Sequence, residues 1–159
     1  MSTKVRAATP ADVPVILGFI RDLAEYEKEL DKVEATEEDL RAALFGAEPK
    51  VFAHLAQDAS GTPVGFALWF LNFSTWTGKH GIYLEDLYVA PEARGGGYGR
   101  ALLAELARVA VARGYARYEW ACLDWNTPSI RFYESLGAKA MSEWTGYRLA
   151  GEALHAVAR

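Results

Sequence analysis

The 159-residue chain is long enough for one well-buried domain and short for two, so we expect a single domain over residues 1–159. Its 17 basic and 21 acidic residues give a formal charge of −4, which excludes the overall positive field typical of proteins that bind nucleic acid or anionic membranes. Cys122 is the only cysteine, which excludes an intrachain disulfide and gives no support to a secreted, disulfide-stapled fold.

The apolar pattern does not indicate a membrane protein. The longest unbroken apolar run covers residues 64–71, whereas a bilayer span needs ~20 residues. No signal peptide is recognisable at the start of the sequence, so we expect a cytoplasmic protein. The neighbours of Cys122 are typical of a strand, and a buried strand thiol fits this position better than a nucleophile.

The first part of the chain is predicted to form one strand and two helices. Residues 4–8 have the pattern of a short strand, and residues 9–12 supply an N-cap, a first-turn proline and a first-turn acid. Apolar residues then recur with the helical period up to about Tyr26. A second helix is predicted from Thr36, which precedes three acids, to the residue before Gly46.

The segment between these helices, residues 25–34, is rich in glutamate. Such a run is typical of a solvated helix end and loop. The alternative is that Tyr26 and Glu27 face a cationic substrate.

A hairpin is predicted next, with strands at 51–57 and 63–71 joined by a turn. Residues 72–81 are expected to form a polar and aromatic loop. Trp76 in this loop either lines a substrate slot or tucks onto the core.

Residues 82–89 have the composition of a buried strand that carries two acids, Glu85 and Asp86, and Pro91 ends it. Simple alternation would place the two acids on opposite faces, and Asp86 is expected to be structural. A helix over 101–113 and a strand over 117–123 complete a strand, helix, strand crossover, so the two strands are predicted to be parallel.

A glycine-rich loop connects this strand to its helix. Four glycines between Arg94 and Arg100 let the backbone approach a ligand at a helix N-terminus, where N–H groups and the helix dipole favour a polyanion. A Walker loop is excluded because no Gly-Lys-Ser/Thr sequence occurs, and the third glycine of the dinucleotide pattern is replaced by Arg100.

A further helix is predicted from the loop at 124–128 to Leu136, closed by Gly137. Phe132 and Leu136 share its expected core face. Tyr133 lies next to that face, and from spacing alone it is either a core tyrosine or a residue that points into a cleft.

The sequence Arg94-x-x-Gly97-x-Gly99, followed one strand later by Asn126, Ser129 and the Phe132-Tyr133-Glu134-x-x-Gly137 pattern, resembles the two cofactor motifs of the GNAT superfamily of N-acetyltransferases. Within it, segments 21–28, 74–79, 83–89 and 123–126 are most similar to the spermidine/spermine and thialysine acetyltransferases.

The resemblance implies an α/β fold in which a mixed, mostly antiparallel sheet is flanked by helices and splayed between two parallel central strands, where acetyl-CoA inserts. It also implies contacts with acetyl-CoA. The glycine loop would contact the pyrophosphate, and the strand at 82–89 and the helix that follows residues 124–128 would contact the pantetheine arm. These residues are Leu87, Tyr88, Val89, Arg94, Gly95, Gly96, Gly97, Tyr98, Gly99, Arg100, Asn126, Thr127, Pro128, Ser129 and Tyr133.

The resemblance further implies Glu85 as the base, acting through a water, because a free amine with a pKa of ~10.4 is protonated at neutral pH. Tyr133 is implied as the acid that protonates the leaving thiolate. No metal is expected. The positions implied for the acceptor are Tyr26, Glu27, Trp76, Glu85, Glu119, Trp120 and Ala121.

The acceptor is expected to be a small cationic primary amine, either a polyamine or a lysine-like amine. An acid that the family tends to carry just before Gly146 is replaced here by Trp144-Thr145, which weakens the case for a polyamine. An aminoglycoside is the alternative acceptor. The alternative functions are a protein-modifying acetyltransferase and a non-catalytic acyl-CoA sensor. Relatives imply a homodimer, and the sequence assigns no role to the three histidines, His54, His80 and His155.

Overall fold

The structure, a computed structural model, describes residues 4–159. Two compact units make up the chain, Met1–Ala121 and Cys122–Arg159. From residue 4 onward, the N-terminal unit contains five strands and three α-helices, in the order β1 (Lys4–Ala7), α1 (Val13–Tyr26), α2 (Glu37–Phe45), β2 (Phe52–Gln57), β3 (Pro63–Ser74), β4 (Lys79–Val89), α3 (Tyr98–Ala112) and β5 (Tyr118–Trp120).

The strands form one mixed sheet in the order β1-β2-β3-β4-β5. Strands β1 to β4 are antiparallel neighbours, and β5 pairs parallel to β4 after the α3 crossover, as predicted. The parallel pair lies at one side of this sheet, because β5 is its edge strand. The mixed α/β fold class expected from the sequence is confirmed.

The sheet buries apolar side chains on both faces. One face carries the cluster formed with α1 and α2, and α3 packs against β2, β3 and β4 through its own apolar stripe. The side chains with no exposed surface include Val13, Ile16, Leu55, Phe66, Ile82, Leu102 and Leu106. The helical spacing of apolar residues that predicts α1 and α3 therefore marks real core faces.

The N-terminal ends of the first two helices are fixed by acids. Thr36 and Asp39 form a reciprocal capping box, with the Asp39 N–H donating to Thr36 Oγ1 at 3.1 Å and the Thr36 N–H donating to Asp39 Oδ2 at 3.0 Å. Asp12, in the short turn before α1, accepts the Thr9 N–H at 2.7 Å and forms an ion pair with Arg6 at 2.8 Å. The second helix therefore begins where its capping residues predict, whereas residues Pro10–Asp12, predicted to open the first helix, form a separate 3-10 turn and α1 begins at Val13.

The predicted loop over residues 72–81 is wrong. Strand β3 continues to Ser74, β4 starts at Lys79, and the two pair throughout this stretch, so only a tight turn separates them. The polar residues of this segment predict a loop, but they belong to strand ends that are largely exposed rather than buried. Gly81 fits it because a Cβ there would meet the carbonyl oxygen of Arg117, the residue just before β5, at 2.7 Å.

Strand β5 is shorter than the predicted 117–123 and ends at Trp120. The expectation that Cys122 is a buried strand thiol is therefore wrong, because the residue lies beyond the strand and is half-buried.

The C-terminal unit contains α4 (Thr127–Ser135) and α5 (Gly151–Val157). Asn126 caps α4 by accepting the Ser129 N–H at 3.4 Å. The predicted core residues Phe132 and Leu136 are only half-buried. Among residues 4–159, no helix is both long and apolar enough to cross a membrane.

Candidate active site

The glycine loop leads into the N-terminus of α3 with donor groups unused. Gly95 and Gly97 have φ of 84° and 82°, the left-handed region that glycine adopts without strain. Gly97 is the N-cap of α3, and no side chain caps the helix. Its first intrahelical bond is donated by Ala101. The N–H groups of Tyr98, Gly99 and Arg100 are therefore the orphan donors of a first helical turn, and they suit a polyanion.

Arg94 ties this loop to the sheet. Its Nε donates to the Val89 carbonyl at 3.0 Å, and its guanidinium carbon lies 5.5 Å from the ring centre of Tyr26 and 5.7 Å from that of Tyr88. Of the predicted cofactor residues, Arg94 thus has a structural function that the sequence did not indicate. Tyr26, a predicted acceptor residue, lies under it at the end of α1.

The last residues of β4 have a backbone edge that β5 does not cover. In the part of the chain that the structure describes, β5 pairs with β4 only from Ile82 to Leu84. Ala90 donates to Val64 of β3, and alternate residues of a strand point their backbone groups to the same side. Leu87 and Val89 therefore direct their N–H groups away from β3, on the β5 side of β4 and beyond the last residue that β5 pairs with.

A β-bulge lies at the base of this uncovered edge. Leu68 pairs with Asp86 and the next residue of β3, Trp69, pairs with Leu84, so Glu85 has no partner in β3. Bulges re-aim side chains and are frequent beside active sites. The extra residue also shifts the alternation of side chains between the two faces of the sheet. Asp86, the cross-strand partner of Leu68, therefore lies on the same face as Leu68, against which α1 packs.

The bulge brings three carboxylates into electrostatic contact. Burial, reinforced by the charges of Glu85 and Glu27, raises the pKa of Asp86 to about 6. Burial likewise raises the pKa of Glu27, with Glu29 and Glu85 adding to the effect. We call Glu27, Glu85 and Asp86 the acidic cluster. Like charges held this close favour a cationic ligand.

A fourth acid lies on the neighbouring strand. Glu119 pairs with Tyr83 across the parallel ladder and accepts a hydrogen bond from Asn72 Nδ2 at 3.2 Å. Burial raises the pKa of Tyr83, and the charges of Glu85 and Glu119 raise it further. Tyr83 therefore lies between the acidic cluster and Glu119. Trp120, half-buried, and Ala121, exposed, follow Glu119 directly.

The structure does not bring Trp76 to this cluster. Trp76 is in the tight turn between β3 and β4, is 79% exposed, and has the guanidinium of Arg117 5.9 Å from its ring centre. Glu85 lies six positions along β4 from Lys79, which is roughly 20 Å of strand. The alternative expectation that Trp76 tucks onto the core is wrong.

The remaining predicted residues belong to the C-terminal unit. Asn126 is buried and caps α4, and Thr127, Pro128 and Ser129 form its first turn. Tyr133 is half-buried, with its ring centre 5.7 Å from that of Phe132.

Two residues that the sequence did not single out for the site are Asp86 and Tyr83. A signal for Asp86 was present, since a second acid in an otherwise apolar strand needs a reason to be buried. Within residues 4–159, no group of three or more histidine, cysteine, aspartate or glutamate side chains could hold a metal ion. The site therefore combines backbone donors for a polyanion with carboxylates for a cation.

Comparison with known proteins agrees with this chemistry. The family model described as "Acetyltransferase (GNAT) family" matches residues 18–138. A thialysine N-epsilon-acetyltransferase of Sus scrofa is 41% identical over 99% of this chain and 98% of its own length. An L-ornithine N5-acetyltransferase of Arabidopsis thaliana is 32% identical over 99% of this chain and 88% of its own length.

Among solved structures, an integron cassette protein from the mobile metagenome of V. cholerae superposes with a TM-score of 0.82, at 28% identity and over 100% of this chain and 99% of that one. The extent of these matches confirms the predicted enzyme. The chain belongs to the GNAT family of acetyltransferases, and it is an N-acetyltransferase.

Proposed function

We propose that this enzyme transfers the acetyl group of acetyl-CoA to the terminal amine of a small lysine-like amino acid, by direct attack and without a covalent enzyme intermediate. The observation that carries the proposal is the acidic cluster at the bulge of β4, beside a backbone edge that is free to bind the donor. The relatives named above act, by their names, on thialysine and ornithine. Both acceptors are amino acids with a primary amine at the end of a short chain.

The residues present fit acetyl-CoA. The unused N–H groups at the start of α3, together with the backbone of Gly95, Gly96 and Gly97, would hold its pyrophosphate. Leu87 and Val89 would pair with the pantetheine arm as an added strand does, with Tyr88 between them, and Asn126 to Ser129 would contact the same arm. Arg94 would contribute by holding the loop against β4, and Arg100, which is exposed, by its charge.

Acetyl-CoA would supply the thioester carbonyl that the amine attacks. A backbone N–H of the uncovered β4 edge would donate to the carbonyl oxygen and stabilise the charge that develops there. Because this edge belongs to a strand that is paired with β3, its N–H group is held in place before the reaction begins.

Glu85 is the base in this proposal. It is exposed at the bulge, where a water can reach both its carboxylate and the acceptor. Removing a proton from an ammonium group with a pKa of ~10.4 is required before the nitrogen can attack. Tyr133 would return a proton to the leaving thiolate, since a hydroxyl with an ordinary pKa of ~10 is protonated at neutral pH.

The remaining acids would hold the acceptor. Glu27 and Asp86 lie with Glu85 in the acidic cluster, and Glu119 lies beside Tyr83 on the next strand. Tyr26 offers an aromatic ring at the end of α1. Trp120 and Ala121 would form the strand edge next to the acceptor, and Trp76 would act only if a second copy of the chain supplied it.

The test is release of free thiol from acetyl-CoA with a panel of amines: thialysine, lysine, ornithine, spermidine, spermine, an aminoglycoside and a lysine-bearing peptide. The proposal predicts that kcat/KM is highest for one of the three amino acids. A preference for spermidine or spermine would replace the lysine-like acceptor with a polyamine and leave the cofactor proposal intact. A preference for the peptide would indicate a protein acetyltransferase.

The proposal also covers the oligomeric state, cellular location and domain organisation of the enzyme. We infer a cytoplasmic homodimer in which residues 1–159 of each copy act as a single catalytic domain. Light scattering on the purified protein tests for the dimer, because the monomer has a mass of 17.5 kDa. Limited proteolysis with and without acetyl-CoA tests whether the two units behave as one domain.

A further inference from the structure

A cavity of about 270 Å³ lies under the C-terminal end of α3 and against β1, β2 and β3. Its walls contain none of the residues proposed above for catalysis, cofactor or acceptor. Phe52 and Trp69, a cross-strand pair whose ring centres are 4.8 Å apart, form the aromatic part of the wall. Leu44, Phe45 and Val109 contribute aliphatic and aromatic surface. We call this space the Trp69 cavity.

One hydrogen-bond donor of the Trp69 cavity comes from His54. The indole N–H of Trp69 donates to His54 Nδ1 at 3.1 Å. In a neutral imidazole that accepts at Nδ1, the proton resides on Nε2. Burial is the main cause of the lowered pKa of His54; the charge of Glu105 opposes it, and the charge of Arg113, the smallest of the three effects, adds to the lowering. His54 therefore presents an Nε2–H that no described group accepts.

The second donor is the guanidinium of Arg113, the C-cap residue that follows α3. Its carbon lies 5.7 Å from the ring centre of Trp69 and 6.0 Å from that of Tyr115, within the range of cation–π contact. Among residues 4–159, no carboxylate lies within ion-pair distance of Arg113. Its five N–H donors thus stay available for a ligand.

The walls of the Trp69 cavity carry no acidic side chain. The cavity consequently offers one fixed positive charge and a neutral N–H donor above apolar and aromatic surface. This polarity is opposite to that of the acidic cluster, which attracts cations. A ligand of the Trp69 cavity must accept hydrogen bonds, bear negative charge and have an apolar body.

We propose that the Trp69 cavity is a second small-molecule site, which binds a small organic carboxylate with an apolar or aromatic body. Arg113 and His54 hold the carboxylate, and Trp69 and Phe52 pack against the body. The volume is just below the ~300 Å³ at which small-molecule sites begin, so the ligand has one ring or a short chain.

Benzoate is a suitable probe because it has one ring and one carboxylate. The experiment titrates benzoate into the full-length, ¹⁵N-labelled enzyme and follows the indole N–H signal of Trp69, which is assigned with Trp69→Phe. We expect a saturable shift of this signal. Benzamide, which has nearly the same shape and no charge, should bind at least about tenfold more weakly, because a hydrogen bond to a charged group is lost.

Two variants locate the bound molecule. Arg113→Gln removes the charge and should weaken benzoate binding about tenfold or more. Arg108→Gln is its matched control on the same helix, since Arg108 is paired with Glu105 outside the cavity wall, and should leave the affinity within about twofold. Val109→Phe fills the cavity from α3 and should abolish the shift, with thermal unfolding used to verify that the variant folds.

Three results would overturn the proposal. The first is no shift of the Trp69 indole signal at benzoate concentrations that are still tolerated by the fold. The second is equal binding of benzoate and benzamide. The third is binding that persists in both Arg113→Gln and Val109→Phe, or that shifts the amide of Gly97 instead, which would place the anion at the glycine loop.

Discussion

Asp86 lies opposite Leu68 across the β3–β4 ladder, whereas Glu85, its neighbour in sequence, lies opposite no residue of β3. The extra residue gives the two acids different surroundings. Glu85 is exposed, and Asp86 is half-buried with a pKa of about 6. One strand irregularity thus produces an accessible carboxylate and a second one that changes its charge near neutral pH.

The first prediction concerns stability and pH. A carboxyl group whose pKa rises from an ordinary 3.8 to about 6 on folding makes the folded state bind more protons than the unfolded state between these values. Asp86 therefore lowers the stability as the pH rises through this window, by up to about 3 kcal/mol at pH 7. Asp86→Asn removes this cost, so urea denaturation should show a variant more stable than the wild type at pH 8.

The comparison of Asp86→Asn with the wild type can be checked at a second pH. At pH 3.5 both the folded and the unfolded wild type carry a largely protonated Asp86, so the advantage of Asp86→Asn should nearly vanish there. The exposed Asp31→Asn serves as the control and should change the stability little at either pH. A variant that is equally stabilised at pH 3.5 and pH 8 would contradict the electrostatic explanation.

The second prediction concerns the base. Glu85→Gln should lower kcat/KM at pH 7.5 by about 100-fold or more, since general base catalysis contributes about 10²–10⁴. The loss should shrink as the pH approaches 10, because the acceptor amine then deprotonates without help. The pH profile of kcat/KM measures both effects. The exposed Glu48→Gln is the control for removing one negative charge and should retain activity.

Glu85→Gln has a second consequence that does not depend on activity. Because the charge of Glu85 helps to raise the pKa of Asp86, its removal should lower the Asp86 pKa toward its ordinary value. Carbon-detected NMR titration of the Asp86 carboxyl group measures this shift. An unchanged Asp86 pKa would show that the two carboxylates do not interact.

The third prediction concerns the first helix. Asp12 accepts bonds from both terminal nitrogens of Arg6, at 2.8 and 2.9 Å, and from the Thr9 N–H. Arg6 is the main cause of the lowered pKa of Asp12. Asp12→Ala should therefore destabilise the protein by about 3 kcal/mol at pH 7, because Arg6 loses its partner and the turn before α1 loses the carboxylate that accepts the Thr9 N–H.

The pH dependence of this effect has the opposite sign to that of Asp86. A lowered carboxyl pKa contributes stability above the ordinary value of 3.8, and the contribution is lost as the pH falls through the pKa of the folded state. The cost of Asp12→Ala should therefore decrease below pH 3.8. Arg108→Ala, which breaks a surface pair with Glu105, should cost less than about 1 kcal/mol at pH 7.

Local patterns predicted most of the elements because they act over short stretches of chain. The capping sequences at Thr9 and Thr36, the helical spacing of apolar residues and the glycines at 95 and 97 each specify backbone geometry within one or two turns. The parallel pairing of β4 and β5 also followed, because a helix between two strands requires it.

The bulge at Glu85 could not be predicted in this way. Alternation along β4 assigns faces correctly only while both strands advance one residue at a time, and the extra residue depends on the register of β3. The placement of Asp86 on the α1 face, and hence the effect of the Glu27 charge on its pKa, follows from that register. The contact of Arg94 with Tyr26 likewise depends on tertiary packing between α1 and β4.

The fourth prediction concerns the acid. If Tyr133 protonates the leaving thiolate, Tyr133→Phe should lower kcat by about 10²-fold or more while the affinity for acetyl-CoA stays nearly unchanged. Steady-state kinetics and calorimetry separate these two quantities. Tyr147→Phe is the matched control, because Tyr147 lies in the same unit and is 95% exposed. An unchanged kcat would remove Tyr133 from the mechanism.

The fifth prediction separates folding from binding in the glycine loop. Gly97 has a left-handed backbone, so Gly97→Ala should cost about 1–2 kcal/mol of stability. Gly99 does not have positive φ, and a Cβ there would meet only Val89 Cγ2, at an ordinary 3.7 Å. Gly99→Ala should therefore fold normally.

The effect of Gly99→Ala should appear in the affinity for coenzyme A. The new methyl group of Gly99→Ala lies beside the first-turn N–H groups of α3 and should weaken coenzyme A binding by about tenfold or more, as expected when a charged group loses a hydrogen bond. Gly18→Ala, on the exposed side of α1, is the control and should stabilise the protein by up to about 1 kcal/mol without affecting binding. Because stability and affinity are measured separately, a Gly99→Ala enzyme that folds and binds coenzyme A like the wild type would show that these amides do not hold the pyrophosphate.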